Sequence, residues 1–262
     1  MTHADVNGLR LRYEEHGTGA PLILLHGGIG SGEMFIPLLP ELGAGRRVIT
    51  VDLQGHGGTA DVDRPLRAEL MADDIAALLD HLGLEQVDVM GYSLGGMVAL
   101  RTAIQHPARV RRLVLVSVGF ARDGSHPDVL EAMEQMSAAA AEPMKQSPMY
   151  EAYAQLAPRV EDWPVLIGKI SEALKVDYDW SADIGRITAQ TMLVYADADS
   201  LRPAHIVEFF ALLGGGLFDA GWDNSAQPSN RLAILPGRTH YDVYLSPALT
   251  PIVVDFLDGG PR

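Results

Sequence analysis

The chain contains no cysteine among its 262 residues, which removes disulfides, thiolate nucleophiles and thiolate metal ligands together. Positive charge is also scarce. Twenty Lys and Arg stand against 34 Asp and Glu, a formal net charge of −14. Such an average field repels phosphate backbones and anionic lipid, so nucleic acid is not expected as a partner. No apolar stretch approaches the roughly 20 residues that a membrane span requires. The opening Met1-Thr2-His3-Ala4-Asp5 has neither a basic nor an apolar leader region, and a cytoplasmic location is the resulting expectation. H-E-x-x-H, H-x-H-x-D-H and calcium-loop spacings are all missing, so no metal is expected. The glycines at 27, 28 and 30 do not complete G-x-G-x-x-G, and no nicotinamide is expected. Internal repeats, heptads and low-complexity tails are absent as well.

Short apolar runs, by contrast, recur through the chain. They are Pro21-Leu22-Ile23-Leu24-Leu25, Val48-Ile49-Thr50-Val51, Val87-Asp88-Val89-Met90, Leu113-Val114-Leu115-Val116, Met192-Leu193-Val194-Tyr195 and Leu232-Ala233-Ile234-Leu235. Each is rich in Val, Ile and Leu, as strands buried on both faces require, and helix-patterned segments alternate with them. The pattern predicts an α/β fold with a mostly parallel central sheet covered by helices on both faces. Asn7-Gly8, between Ala4-Asp5-Val6 and Leu9-Arg10-Leu11-Arg12-Tyr13, is a two-residue hairpin signal that predicts an antiparallel entry to the sheet. Helices are predicted over 68–81, where Leu70, Asp73, Asp74, Ala77 and Leu78 divide into polar and apolar sides before Gly83, over 94–105 ahead of Pro107, and over 249–257. Hydrophobic residues make up 47% of the chain, enough for one sizeable domain.

Between residues 119 and 185 the strand-helix rhythm breaks. Met133, Met136, Met144 and Met149, an Ala138–Ala141 tract and several prolines suggest short amphipathic helices of an inserted lobe. The methionines suit either ordinary core filling or an adaptable pocket wall. The Gly-, Asp- and Asn-rich stretch 213–229 reads as an excursion before the last strand.

Gly91-Tyr92-Ser93-Leu94-Gly95 follows one of the apolar runs and opens a helix-patterned segment. A serine at such a strand-to-helix turn has its hydroxyl pushed clear of the sheet, with flanking glycines that admit the close backbone. A serine hydroxyl is a weak nucleophile and requires a base, which in turn requires an orienting acid. His240, after the run 232–235, and Asp199, after the run 192–195, are the candidates, and the order Ser93, Asp199, His240 suits this architecture. Asp123 and Asp197 remain alternatives for the acid. The oxyanion requires two donors: the Leu94 amide, next to the serine, and the amide of Gly28 or, failing that, Ile29, after the run 21–25. His26 and His56 sit in glycine-rich turns and read as structural, whereas His81 and His106 fall at predicted helix C-termini, where the dipole accommodates them.

Taken together, His26-Gly27-Gly28, Asp52-Leu53-Gln54-Gly55-His56-Gly57, Gly91-Tyr92-Ser93-Leu94-Gly95-Gly96, Asp197-Ala198-Asp199 with Pro203, and Pro236-Gly237 with Thr239-His240 resemble the α/β-hydrolase fold family. The resemblance implies a Ser93–Asp199–His240 triad, no cofactor, a core of residues 1–119 and 186–262, and a helical lid of residues 120–185. It implies a serine hydrolase acting on a small to medium carboxylic ester. Lactonases, C–C bond hydrolases and perhydrolases of the family share the same residues, and a non-catalytic ligand receptor that keeps the fold is the alternative from another class. Two departures stand out: Gln54 replaces the arginine common in the family's D-x-R-G-x-G turn, and the interval from acid to histidine is long.

Overall fold

A computed structural model describes residues 2–259. Among them, eight strands form one sheet: β1 (Thr2–Val6), β2 (Leu9–His16), β3 (Ala20–Leu25), β4 (Arg46–Val51), β5 (Val87–Tyr92), β6 (Val110–Val116), β7 (Gln190–Ala198) and β8 (Arg231–Thr239). Their spatial order is β1-β2-β4-β3-β5-β6-β7-β8. β1 and β2 are antiparallel, β2 is antiparallel to β4, and every pairing from β4 to β8 is parallel. The hairpin between β1 and β2 turns on Asn7 and Gly8, both with positive φ, which is the backbone that a tight two-residue turn demands. The expected parallel sheet with an antiparallel entry is present, and its strands run one to five residues longer than the apolar runs.

Ten α-helices accompany the strands: α1 (Leu39–Leu42), α2 (Ala68–His81), α3 (Leu94–Gln105), α4 (Pro127–Gln135), α5 (Ala141–Met144), α6 (Pro148–Leu156), α7 (Trp163–Ala173), α8 (Ser181–Ile184), α9 (Pro203–Leu212) and α10 (Leu249–Leu257). Successive strand residues enter opposite cores. Ile23, Ile49, Val89 and Leu113 pack with Met71 and Ile75 of α2 and Val98 of α3, whereas Leu22, Val48, Met90 and Val114 pack with Leu42 of α1 and Val253 and Phe256 of α10. Burial on both faces is why the strands read as continuous apolar runs rather than alternating ones.

One expectation for α2 changes. Asp74, grouped by spacing with the polar positions, is 2% exposed. Asn7 Nδ2 donates to it at 3.1 Å and Arg64 forms an ion pair with it, so its burial is compensated across the sheet edge. The helical segment between β6 and β7 carries α4 to α8. It has a small core of its own around Trp163, which is fully enclosed, donates from Nε1 to the Ala141 carbonyl (2.8 Å) and meets the edges of Tyr150 and Tyr153. Lys169 on α7 fastens this segment to the loop after β4 through Asp61 Oδ2 (2.6 Å) and the carbonyls of Val62 (2.6 Å) and Arg64 (2.7 Å). Of the four methionines in the segment, Met133 reaches the cavity described below, Met136 and Met144 pack against the core, and Met149 is largely exposed. No helix among the described residues is long and apolar enough to cross a membrane.

His205 of α9 secures the start of the same segment. Its ring stacks on Phe120 with centroids 4.0 Å apart, and its Nε2 accepts the Phe120 amide at 3.2 Å, which fixes the neutral, Nδ1-protonated tautomer. Gly124 lacks a side chain because a Cβ there would overlap this ring. Burial lowers the His205 pKa to about 4; Arg202 works in the same direction, and Asp123 and Asp179 oppose it. A group whose folded pKa is depressed contributes stability that is complete above its ordinary value near 6.5 and is lost as pH falls toward the folded value. Unfolding free energy should therefore decline between pH 6.5 and about 4, with His205 contributing roughly 1.4 kcal/mol per pH unit. In urea titrations across that range, His205→Gln should flatten the decline by this amount, whereas an unchanged slope would assign the pH dependence to other groups.

Candidate active site

The order of strands reverses at β3, whose neighbours are β4 and β5, and in open α/β sheets ligands bind outside the carboxyl ends of strands at such a switch point. The carboxyl ends of β3 and β5 lie side by side there, Leu25 in register with Gly91. The chain leaves β5 through Ser93, whose backbone is left-handed (φ 52°, ψ −117°), and enters α3 at Leu94. A Cβ on Gly91 would overlap the Gly95 carbonyl, and one on Gly95 would overlap the Leu25 and His26 carbonyl oxygens, so both glycines are required for α3 to begin this close to the sheet. The Ser93 amide donates to the Val116 carbonyl (3.0 Å), and the Met97 amide donates to the Ser93 carbonyl (2.9 Å).

Ser93 Oγ lies 3.0 Å from His240 Nε2, and His240 Nδ1 lies 3.2 Å from Asp199 Oδ1. The three side chains expected from the sequence thus meet in one line. His240 sits immediately after β8, which continues through the Pro236–Thr239 stretch that the sequence pattern places in a loop. Its backbone carbonyl accepts the Tyr92 hydroxyl at 2.7 Å, which ties the histidine to the residue preceding Ser93. Asp199 is held by an irregularity between β7 and β8, where the register shifts between Ala196 and Ala198. Asp197 occupies that shift with its carboxylate facing the Gly237 amide (2.9 Å) and the Arg238 amide (3.2 Å), so it fixes the strand ends rather than meeting His240. Asp123 is exposed, and its carbonyl accepts Arg202. Neither alternative acid reaches the imidazole.

Two partners of this line were not legible in the sequence. Ser117, at the end of β6 with φ 54°, donates to Asp199 Oδ2 at 2.5 Å, and the Ala196 amide donates to the same oxygen at 3.0 Å. Ser200 Oγ lies 2.9 Å from His240 Nδ1, so with Nε2 free to accept from Ser93 the Nδ1 proton is shared between Ser200 and Asp199. Burial works to raise the Asp199 pKa. The hydrogen bonds from His240 and Ser117, the charge of His240 and the Ala196 amide outweigh it and hold the carboxyl below the ordinary carboxylate value. Ser117 and Ser200 carry no motif; adjacency to a strand end and to Asp199 was their sole signal.

Gly28 borders the space in front of Ser93, and a Cβ on it would lie 4.0 Å from Leu94 Cδ2. The Leu94 amide is the first of α3 and has no intrahelical acceptor. Neither it nor the Gly28 amide donates to a protein acceptor among the described residues. Ile29, the other candidate donor, is itself left-handed (φ 62°). The remaining glycine-rich motifs serve as support. His26 donates from Nδ1 to the Gly27 carbonyl (2.7 Å) and accepts the Leu53 amide at Nε2 (3.0 Å); His56 donates to the Gln54 carbonyl (2.8 Å). Burial lowers both histidines' pKa values, that of His56 to about 3, which keeps them neutral. Gln54 accepts from Arg64 Nε (2.7 Å) and donates to Asp61 Oδ1 (2.8 Å), so an arginine at 54 would face the guanidinium of Arg64. Among the described residues, no group of three or more His, Asp or Glu is placed to hold a metal ion.

In front of Ser93 and His240 lies a cavity of about 240 Å³, walled mainly by apolar side chains of α3, α7 and the 174–180 stretch, with Leu66 and Leu201 at its sides.

A family model described as alpha/beta hydrolase fold matches residues 20–146. The chain is 30% identical over 239 residues to the putative carbamate hydrolase RutD of Azorhizobium caulinodans, covering 84% of this chain and 88% of that protein. It is 39% identical over 113 residues to a 2-hydroxymuconate semialdehyde hydrolase of a Pseudomonas species, a match spanning 42% of this chain and 40% of that relative. Among solved structures, the enol-lactonase from Burkholderia xenovorans superposes with a TM-score of 0.72 at 21% identity, covering 98% of this chain and all of that one (100%).

Ser117 supplies the shortest bond to the Asp199 carboxylate, so Ser117→Ala should lower stability at pH 7 by about 1.5–3 kcal/mol. A carboxylate with a depressed folded pKa contributes stability above its unfolded value and loses it as pH falls through the folded one. The gap between parent and variant in urea midpoints should therefore close below about pH 4. A gap that persists undiminished in acid would mean that Ser117 acts through packing alone.

Proposed function

The chain belongs to the alpha/beta hydrolase fold family, and from that membership we propose that it is a cofactor-independent serine hydrolase cleaving a small to medium carboxylic ester through an acyl-enzyme. The observation that carries this reading is the continuous line Ser93 Oγ, His240, Asp199, opening on an apolar cavity at the switch point of the sheet. Ser93 Oγ attacks the ester carbonyl while its proton passes to His240 Nε2. Asp199 and Ser200 hold the Nδ1 proton, which keeps Nε2 oriented toward Ser93, and the Asp199 carboxylate stabilises the imidazolium that forms. The unengaged amides of Gly28 and Leu94 receive the tetrahedral oxyanion, aided by the positive end of α3. Collapse of that intermediate breaks the C–O bond, and His240 returns the proton to the departing alcohol. Water then gives a proton to His240 as it attacks the acyl carbon, and collapse breaks the acyl–Oγ bond while the proton passes from His240 to Ser93 Oγ, freeing the acid and restoring both residues.

Residues 120–185 act in this reading as a cap. Ile170 and Ala173 of α7, together with Leu174, Val176 and Trp180, close the cavity from above, and the enclosed volume suits acyl or alcohol groups of modest size. C–C bond hydrolysis on the same three side chains is a second reading, favoured by the identity with the semialdehyde hydrolase.

A fluorophosphonate probe should label the protein at Ser93, and Ser93→Ala should abolish both labelling and turnover. With p-nitrophenyl esters of increasing chain length, Asp199→Asn should cut kcat on the order of 10⁴-fold. Asp123→Asn and Asp197→Asn should leave turnover close to that of the parent. Lactones and a vinylogous diketone acid run beside the esters decide between ester, lactone and C–C cleavage. A parent protein that takes up no probe would overturn the enzyme reading in favour of a ligand receptor.

A further inference from the structure

Five hydroxyl-bearing side chains line the cavity: Ser93, Ser117, Ser125, Tyr178 and Ser200. Three are engaged with the line that ends on Asp199: Ser93 with His240 Nε2, Ser200 with His240 Nδ1, and Ser117 with the carboxylate itself. The other two are idle. Neither the Tyr178 phenol nor the Ser125 hydroxyl has a hydrogen-bond partner among the described residues, both residues line the cavity, and neither oxygen is sealed from solvent.

Both are nevertheless held in place. The strand-like segments bearing them run side by side: Arg122 donates its amide to the Tyr178 carbonyl (3.0 Å), Trp180 donates its amide to the Phe120 carbonyl (2.9 Å), and Ala121 pairs antiparallel with Asp179. Ser125 forms an antiparallel bridge with Leu201, and the Tyr178 ring rests on Trp180 with centroids 4.5 Å apart. Burial raises the Tyr178 pKa despite the opposing charge of Arg122, so the phenol stays a neutral donor. Charge does not dominate this space. Arg67 and Glu69 bring opposite signs to one wall, and the Asp177 side chain is 94% exposed and paired with Arg122.

A hydrocarbon chain filling the cavity would strip water from both hydroxyls and return nothing, and a site with a buried donor left unpaired discriminates against such a ligand. We infer that the ester taken by this site carries a neutral hydrogen-bond acceptor, a ketone or amide carbonyl, on the arm that fills the cavity, where Tyr178 Oη donates to it and Ser125 Oγ supports it. The inference rests on Ser93 as the nucleophile. Tyr178 and Ser125 are specificity-determining residues in this scheme and take no part in bond cleavage.

Matched pairs test it: p-nitrophenyl 4-oxopentanoate and 5-oxohexanoate against p-nitrophenyl 4-methylpentanoate and 5-methylhexanoate, with 4-oxopentyl and 4-methylpentyl acetates for the alcohol arm. Tyr178→Phe keeps the ring and its stacking. It should lower kcat/KM for at least one keto ester by about 10- to 100-fold while its hydrocarbon counterpart changes by less than about threefold. Ser125→Ala should move the same pair in the same direction by a smaller factor. Equal changes within every pair, with the hydrocarbon esters still hydrolysed and Ser93 still labelled, would overturn this inference and leave the serine-hydrolase reading standing. A parent that hydrolyses no ester and takes up no probe removes that reading, and this inference with it.

Discussion

The arrangement depends on one close approach, that of the first turn of α3 to the ends of β3 and β5. Gly91 and Gly95 have no Cβ because carbonyl oxygens of the neighbouring backbone occupy the space, and the chain between them must reverse in three residues. Ser93 is thereby driven into a left-handed backbone that costs a non-glycine residue roughly 1–3 kcal/mol. The hydrogen bonds of its amide to Val116 and of its carbonyl to Met97 offset that cost. The same turn presents Tyr92 to the opposite side, where its ring fills the space a Gly27 side chain would need and its hydroxyl holds the His240 backbone. Nucleophile and base candidates are thus placed by two adjacent residues of one turn.

A second layer of buried polar groups keeps the β3 side of the site rigid. Asp52 accepts the amides of Gly32 (2.7 Å) and Gly58 (2.7 Å) and the guanidinium of Arg12 (2.6 Å), joining the loops after β3 and β4 to β2. His26 and His56, in tilted contact 5.1 Å apart, stay neutral and spend their ring nitrogens on neighbouring backbone, with His56 Nε2 alone lacking a partner. Polar groups buried this deeply are tolerated because nearly all are paired, and a paired network resists displacement more than an apolar one of the same volume. Gly28 hangs from this scaffold.

Much of this was legible in the sequence where chemistry leaves a local trace. Strands buried on both faces wrote themselves as apolar runs, the β1–β2 turn as Asn-Gly, and Ser93 as a serine between glycines after a strand. His240 and Asp199 were legible because strand ends deliver loops to one edge of a parallel sheet. Asp199 was distinguishable from Asp197 only through the bulge between β7 and β8, a register effect between strands some forty residues apart. The burial of Asp74 depended on Asn7 and Arg64, and the placement of Ser117, Ser200 and Tyr178 depended on where β6 and the inter-strand helices came to rest. Such pairings are set by tertiary approach, and no spacing within the chain encodes them.

The helical insertion is closed at its base by the pairing of Ala121 with Asp179, which pins its two ends together, while Ser125 bridges to Leu201 beyond β7. Ser93, Ser117, Asp199 and His240 all lie outside the stretch between Ala121 and Asp179, whereas Ile170, Ala173, Leu174 and Val176, which wall the cavity, lie within it. The Ser93–His240–Asp199 line and much of the cavity wall are therefore carried by separate lengths of chain. A different set of helices spliced onto the Ala121–Asp179 stem would leave that line intact and set it before a differently shaped hollow.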